Sequence, residues 1–136
     1  MPINMLYVDD DDSMRAIVET ACLLDPDIAV TTVPSGAEAV ALARETAFDL
    51  ILLDVVMPGL DGPATLAMLR AQEDGPAAPI AFLTAHTQQT EVDWLQELDV
   101  IGVLAKPFEP QRLTKLLRSL IAEGRPGTHY QQSMAS

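Results

Sequence analysis

Only one cysteine, Cys22, stands in the 136 residues, so no internal disulfide can form, and its apolar neighbours in TACLL mark it as a buried thiol. That usage fits a reducing, cytoplasmic setting. Positive charge is scarce: eight Lys and Arg face twenty Asp and Glu, for a net charge of −12. A surface this negative repels nucleic acid and anionic lipid, so a DNA-binding output would need another domain, for which the chain has no room. No apolar run approaches the roughly 20 residues of a membrane span, and the N-terminus lacks a signal-peptide pattern. The phosphate-loop pattern GxxxxGK(S/T) is missing too, which removes the P-loop nucleotide enzymes.

What the chain does have is apolar material, 49% of its residues. A single domain of this size buries about 65–70% of its unfolded surface and needs neither disulfide nor structural metal to fold. Short runs rich in Val, Ile and Leu cover Asn4–Val8, Ile28–Val33, Leu50–Leu53, Ile80–Leu83 and Val100–Leu104. They are too short for helices and almost unbroken by polar residues, the pattern of strands buried on both faces. Between them, Ser13–Leu24, Gly36–Thr46, Pro63–Gln72, Gln88–Leu98 and Glu109–Glu123 carry helical periodicity; in the last, Leu113, Leu116, Leu117, Leu120 and Ile121 form one apolar face. Ser35 with Glu38 three residues on reads as a capping box, and Glu109 and Pro110 suit a first helical turn.

Five strand–helix units in strict alternation predict an α/β fold, a doubly wound parallel sheet with helices on both faces. In such folds ligands meet the carboxyl ends of the strands, near the switch in strand order. After Glu123 the sequence GRPGTHYQQSMAS loses all periodicity, so residues 1–123 are expected to form the domain and 124–136 a flexible C-terminal tail.

The strand ends carry the chemistry. The first strand, MLYV, runs into Asp9, Asp10, Asp11 and Asp12; the third ends at Asp54, the fourth at Thr84 and the fifth at Lys106. Clustering Asp9, Asp10 and Asp54 crowds like charges, which raises pKa values and destabilises the site unless a cation is present. Oxygen ligands without Cys or His select a hard ion, with Mg²⁺ the natural candidate. The aspartate run reads equally well as a solvated loop with Asp11 or Asp12 as a helix N-cap. Asp54 has the position of a nucleophile toward phosphorus, forming an acyl phosphate, or of a plain strand-terminating residue. Lys106 suits a phosphate contact or a salt bridge to one of the carboxylates, and Thr84 a phosphate contact or a strand-end cap. No single residue decides.

Together, YVDD (Tyr7–Asp10), LDVVMPGLDG (Leu53–Gly62), LTA (Leu83–Ala85) and KPF (Lys106–Phe108) resemble the motifs of response-regulator receiver domains, in order and spacing over about residues 3–122. The resemblance implies a flavodoxin-like sheet of order 2-1-3-4-5 with five helices. It implies a phosphoacceptor at Asp54, fed by a sensor histidine kinase or histidine phosphotransfer protein. It implies Mg²⁺ held by Asp9, Asp10, Asp54 and the backbone carbonyl of Val56, with Thr84 and Lys106 on the phosphoryl group. Such a switch has at most self-phosphorylation and autodephosphorylation activity, and positioning with charge neutralisation is what phosphoryl transfer asks of it. A downstream protein would dock on the face of the fourth helix, fifth strand and fifth helix, where Trp94 is expected to be at least partly exposed. Pro58, Gly59, Asp61 and Gly62 match a turn whose role is backbone shape, and the Lys106–Pro107 bond is commonly cis in the family.

One departure is notable. Three residues before the lysine, where the family usually has Tyr or Phe, stands Val103, too short and stiff for the inward swing of an aromatic ring. Val56 and His86 occupy the positions flanking the phosphoryl group; Val56 cannot orient a water, whereas His86 can. Two other readings compete. A haloacid-dehalogenase-type aspartyl-phosphate hydrolase needs a second aspartate where Val56 stands, and a phosphorylation-independent binding module has no need of all five of Asp9, Asp10, Asp54, Thr84 and Lys106. Met1 and the polar tail suggest a stand-alone regulator.

Overall fold

The computed structural model describes residues 3–72, 78–85, 88–98, 100–106, 110–123 and 130–131. Among these, strands β1 (Ile3–Val8), β2 (Ile28–Val33), β3 (Leu50–Asp54), β4 (Ile80–Thr84) and β5 (Gly102–Ala105) alternate with helices α1 (Asp12–Leu23), α2 (Gly36–Glu45), α3 (Gly62–Ala71), α4 (Gln89–Gln96) and α5 (Pro110–Glu123). The strands are parallel in the order β2-β1-β3-β4-β5, as the sequence led one to expect. One element was not foreseen. Within the segment read as a tail, Tyr130–Gln131 forms a short strand β6 that pairs in parallel with Val103 and Leu104 at the outer edge of β5. The rest of that tail, His86 and the Lys106–Pro107 bond lie outside the described residues.

Side-chain alternation along the strands divides the core into two layers. Met5 and Tyr7 of β1, with Leu50 and Leu52 of β3, face α1 and α5, packing on Val18, Ala21, Leu113, Leu117 and Leu120. Leu6 and Val8, with Ile51 and Leu53, face the other way, onto Ala39, Leu66 and Leu95. Val103 is fully buried in that second layer. Trp94 is 52% exposed on α4 while its neighbours Val92 and Leu95 fill the core, so the apolar stripe of this helix does not need the indole. Cys22 is buried, and its surroundings push the thiol up to about 11, which keeps it unreactive. Among the described residues no helix is long and apolar enough to cross a membrane.

Helix starts are fixed by side chains. Asp11 rather than Asp12 is the N-cap of α1, its Oδ1 accepting from the Ser13 amide at 2.8 Å. Ser35 caps α2 by accepting from the Glu38 amide at 3.2 Å, while the Glu38 carboxylate accepts from the Ser35 hydroxyl at 3.0 Å. Only half of the reciprocal box forms. Asp61 caps α3 through the Ala64 amide at 2.9 Å, a chemical role that a reading of this turn as backbone shape alone leaves out.

The turn from β3 to α3 carries Asp54, and two glycines shape it. Gly59 has φ of +72°, a left-handed conformation that side chains disfavour. At Gly62 an added Cβ would lie 2.6 Å from the Asp54 carbonyl oxygen and 2.8 Å from the Val55 Cα, backbone atoms that cannot swing aside. Gly62→Ala is therefore expected to destabilise the protein by about 1–3 kcal/mol. A denaturant midpoint that falls at unchanged slope would show it; an unchanged midpoint would mean that the turn relaxes freely.

Candidate functional site

Strand register brings the chemistry together. Val8 pairs with Leu53, Asp54 with Leu83 and Thr84 with Ala105, so Asp9, Asp54, Thr84 and Lys106 emerge side by side from four neighbouring strands. The amide of Lys106 donates to the Thr84 carbonyl at 2.8 Å and closes the rim. Continuing the alternation, Asp9, Asp54 and Lys106 fall on the α1/α5 side of the sheet, whereas Thr84 follows Phe82 to the other. Asp10 is exposed, but one oxygen each from Asp9, Asp10 and Asp54 lies within 4.8 Å of the others.

Burial sets the energetics. Asp9 and Thr84 are wholly buried and Asp54 is 7% exposed. A buried charge is tolerated only when paired and hydrogen-bonded. Lys106 supplies the pairing: its Nζ donates to Asp9 Oδ2 and to Asp54 Oδ1, each at 3.1 Å. Lys106 thus bridges both carboxylates, where the sequence suggested a salt bridge to one of them. Asp9 has further partners. The Tyr7 hydroxyl donates to Oδ2, the Asp11 amide donates to Oδ1 at 3.0 Å, and Arg15 Nη1 donates to the Asp9 backbone carbonyl at 2.7 Å.

These partners separate the two buried acids. Burial pushes Asp9 up, but the Tyr7 hydroxyl, the Asp11 amide and Lys106 outweigh it and hold the carboxyl below its ordinary value. Asp54 lacks such a set. Burial dominates there, Lys106 opposes it, the Asp9 charge adds to it, and the carboxyl is raised to about 6. Burial works against the Lys106 ammonium, yet the two carboxylates hold its pKa above the ordinary value. The result is one committed anion, one poised carboxylate and one committed cation. Val56 stands two residues beyond Asp54 and is 58% exposed.

Sequence reasoning missed Tyr7 and Arg15. Tyr7 lies in an apolar run and passes for core, although a tyrosine buried in a strand two residues before an aspartate shares that aspartate's face and needs a partner for its hydroxyl.

Known proteins place the arrangement. The family described as the response regulator receiver domain matches residues 5–118. The probable transcriptional regulator ycf29 of Porphyra purpurea is 32% identical over 121 residues, covering 89% of this chain and 57% of that protein. The chain spans little more than half, or far less, of the length of the curated relatives it matches first. Among solved structures, the chemotaxis response regulator CheY4 of Vibrio cholerae is 33% identical with a TM-score of 0.79, covering 88% of this chain and 99% of that one. The receiver domain of the sensor histidine kinase PA1611 from Pseudomonas aeruginosa PAO1, solved with a magnesium ion coordinated in its active site cleft, is 31% identical with a TM-score of 0.78, covering 90% and 99%.

Proposed function

The chain belongs to the response regulator receiver domain family, and from that premise we propose that Asp54 is its phosphoacceptor, within a receiver unit of residues 1–123. The observation that carries the assignment is the position of Asp54: a buried carboxylate at the end of β3, bonded to Lys106 and within 4.8 Å of two more carboxylates. A carboxyl raised to about 6 is mostly ionised at neutral pH and keeps its nucleophilicity. Its oxygen attacks the phosphorus of a phospho-histidine on a sensor kinase or phosphotransfer protein. The P–N bond breaks, the histidine leaves, and Asp54 holds an acyl phosphate.

The acidic cluster fits Mg²⁺ in donor type and size. Ligands bound at about 2.1 Å lie at most about 4.2 Å apart across the ion, so oxygens within 4.8 Å need only a small contraction or an intervening water. Asp9, Asp10, Asp54 and the Val56 carbonyl would hold the ion, which when bound neutralises charge on the transferring group. The magnesium in the cleft of the PA1611 receiver supports the same reading here. Thr84 and Lys106 would take the new phosphoryl oxygens, and the face of α4, β5 and α5 would meet the downstream protein; Trp94 of α4 is half-exposed. The chain then works as a switch rather than a turnover enzyme.

The test is incubation of the protein with a small acyl phosphate, with Mg²⁺ or with chelator. One added phosphoryl group, mapped by peptide mass to the segment holding Asp54 and absent with chelator, is the expected result. Labelling elsewhere, or equal labelling without the ion, would end the assignment.

A further inference from the structure

Tyr7 is fully buried, and its ring packs in the layer that faces α1 and α5. Its hydroxyl donates to Asp9 Oδ2 across the two-residue repeat of an extended strand. The adjacent β1 residues Met5, Leu6 and Val8 are apolar and equally buried, so the strand's packing does not call for a phenol. We propose that Tyr7 is a positioning residue of the metal site, fixing the Asp9 carboxylate so that one defined lone pair faces the ion or its bound water. The proposal rests on the reading of Asp9 as a metal-holding residue.

The hydrogen-bond inventory carries it. A carboxylate has about four lone-pair positions. On Asp9, Oδ2 accepts from the Tyr7 hydroxyl and from Lys106 Nζ at 3.1 Å, and Oδ1 accepts from the Asp11 amide at 3.0 Å. The position left open is therefore on Oδ1. The three donors differ in permanence. The Asp11 amide belongs to the backbone, whereas Lys106 is a flexible ammonium shared with Asp54. A phosphoryl group on Asp54 offers that ammonium more negative charge than Asp9 does, and it is the donor free to leave. Tyr7 has no such alternative. It keeps Oδ2 occupied while Lys106 changes partners, so the metal-facing oxygen stays the same before and after phosphorylation. A hydrogen-bonded partner behind a ligating carboxylate has this effect in metal sites generally.

The experiment compares wild type, Tyr7→Phe, Asp9→Asn and the double variant by calorimetric titration with Mg²⁺ and by the rise in melting temperature on adding Mg²⁺. Phenylalanine keeps the ring and removes one oxygen, so the fold is retained. Tyr7→Phe is expected to weaken Mg²⁺ binding about tenfold, and to cause no further loss when Asp9 is already Asn. That non-additivity separates positioning from packing, since a packing defect lowers the melting temperature equally with and without the ion. Binding within about twofold of wild type, or the same loss in the Asp9→Asn background, would overturn the role of Tyr7 and leave the metal site standing. Absence of Mg²⁺ binding in wild type would overturn both.

Discussion

Asp54→Asn is expected to lose phosphoryl uptake altogether and, in Mg²⁺-free buffer at about pH 8, to be more stable than wild type by about 1–2 kcal/mol. The first effect follows because an amide cannot form the acyl phosphate. The second follows from the raised carboxyl. An unfolded aspartate titrates near 3.9, and each tenfold change in proton affinity corresponds to about 1.4 kcal/mol. With the folded value at about 6, ionised Asp54 weakens the fold by an amount on the order of 2–3 kcal/mol. Asparagine removes that charge but also gives up the attraction of Lys106, so only part is recovered. In the window between about pH 4 and pH 6 the native state binds more protons than the unfolded state, so wild-type stability falls as pH rises through it. The variant should lack that slope. Asp9 acts oppositely and elsewhere: held below its ordinary value, it contributes stability that is lost only as pH falls below about 4. Denaturant curves at about pH 5 and pH 8 in chelator decide the matter. An identical pH slope in both proteins would show that Asp54 is not the strained group, and phosphoryl uptake by the variant would show that it is not the acceptor.

Most of the scaffold was readable because strands buried on both faces announce themselves as unbroken apolar runs; of the five found this way, Ile28–Val33 matches β2 at both ends and the other four differ by one or two residues at one or both ends. Caps were less readable. Asp11 and Asp12 both suit the start of α1, and only the extended backbone at Asp11, φ −84° and ψ 113°, makes it the cap. The acids and the lysine were legible individually, since each ends a strand. Their convergence followed from the strand order, which places β1, β3, β4 and β5 side by side, but the double bridge through Lys106 was not legible. No local pattern encodes a bridge between residues 97 and 52 positions apart. Tyr7 was hidden by the strength of the apolar signal around it. The β6 pairing was illegible for another reason: two residues carry no period, and what they bind is an edge left open by the rest of the sheet.

Lys106→Met is expected to cost about 3 kcal/mol at about pH 8 in the absence of Mg²⁺, near the lower end for removing one partner of a buried ion pair. Methionine retains the aliphatic stem, so the loss reports the ammonium. Without it, Asp9 and Asp54 face each other with two 3.1 Å charge-assisted bonds gone, and the Asp54 carboxyl rises further because the interaction that lowered it is removed. Two reliefs remain. Protonation of Asp54 is one, so the penalty should shrink as pH falls toward about 5. A divalent cation is the other, since it restores the missing positive charge from outside. Mg²⁺ should therefore raise the melting temperature of the variant more than that of wild type, by mass action on a site whose apo form is strained. Phosphoryl uptake from a small donor should persist, because the nucleophile and the acidic cluster are intact. The structural response to phosphorylation should weaken, because the group drawn across from Asp9 to the phosphate is gone. Melting curves at the two pH values, each with and without Mg²⁺, measure both reliefs. Equal destabilisation under all four conditions would mean that Lys106 acts through packing alone and that the carboxylates are balanced by something else.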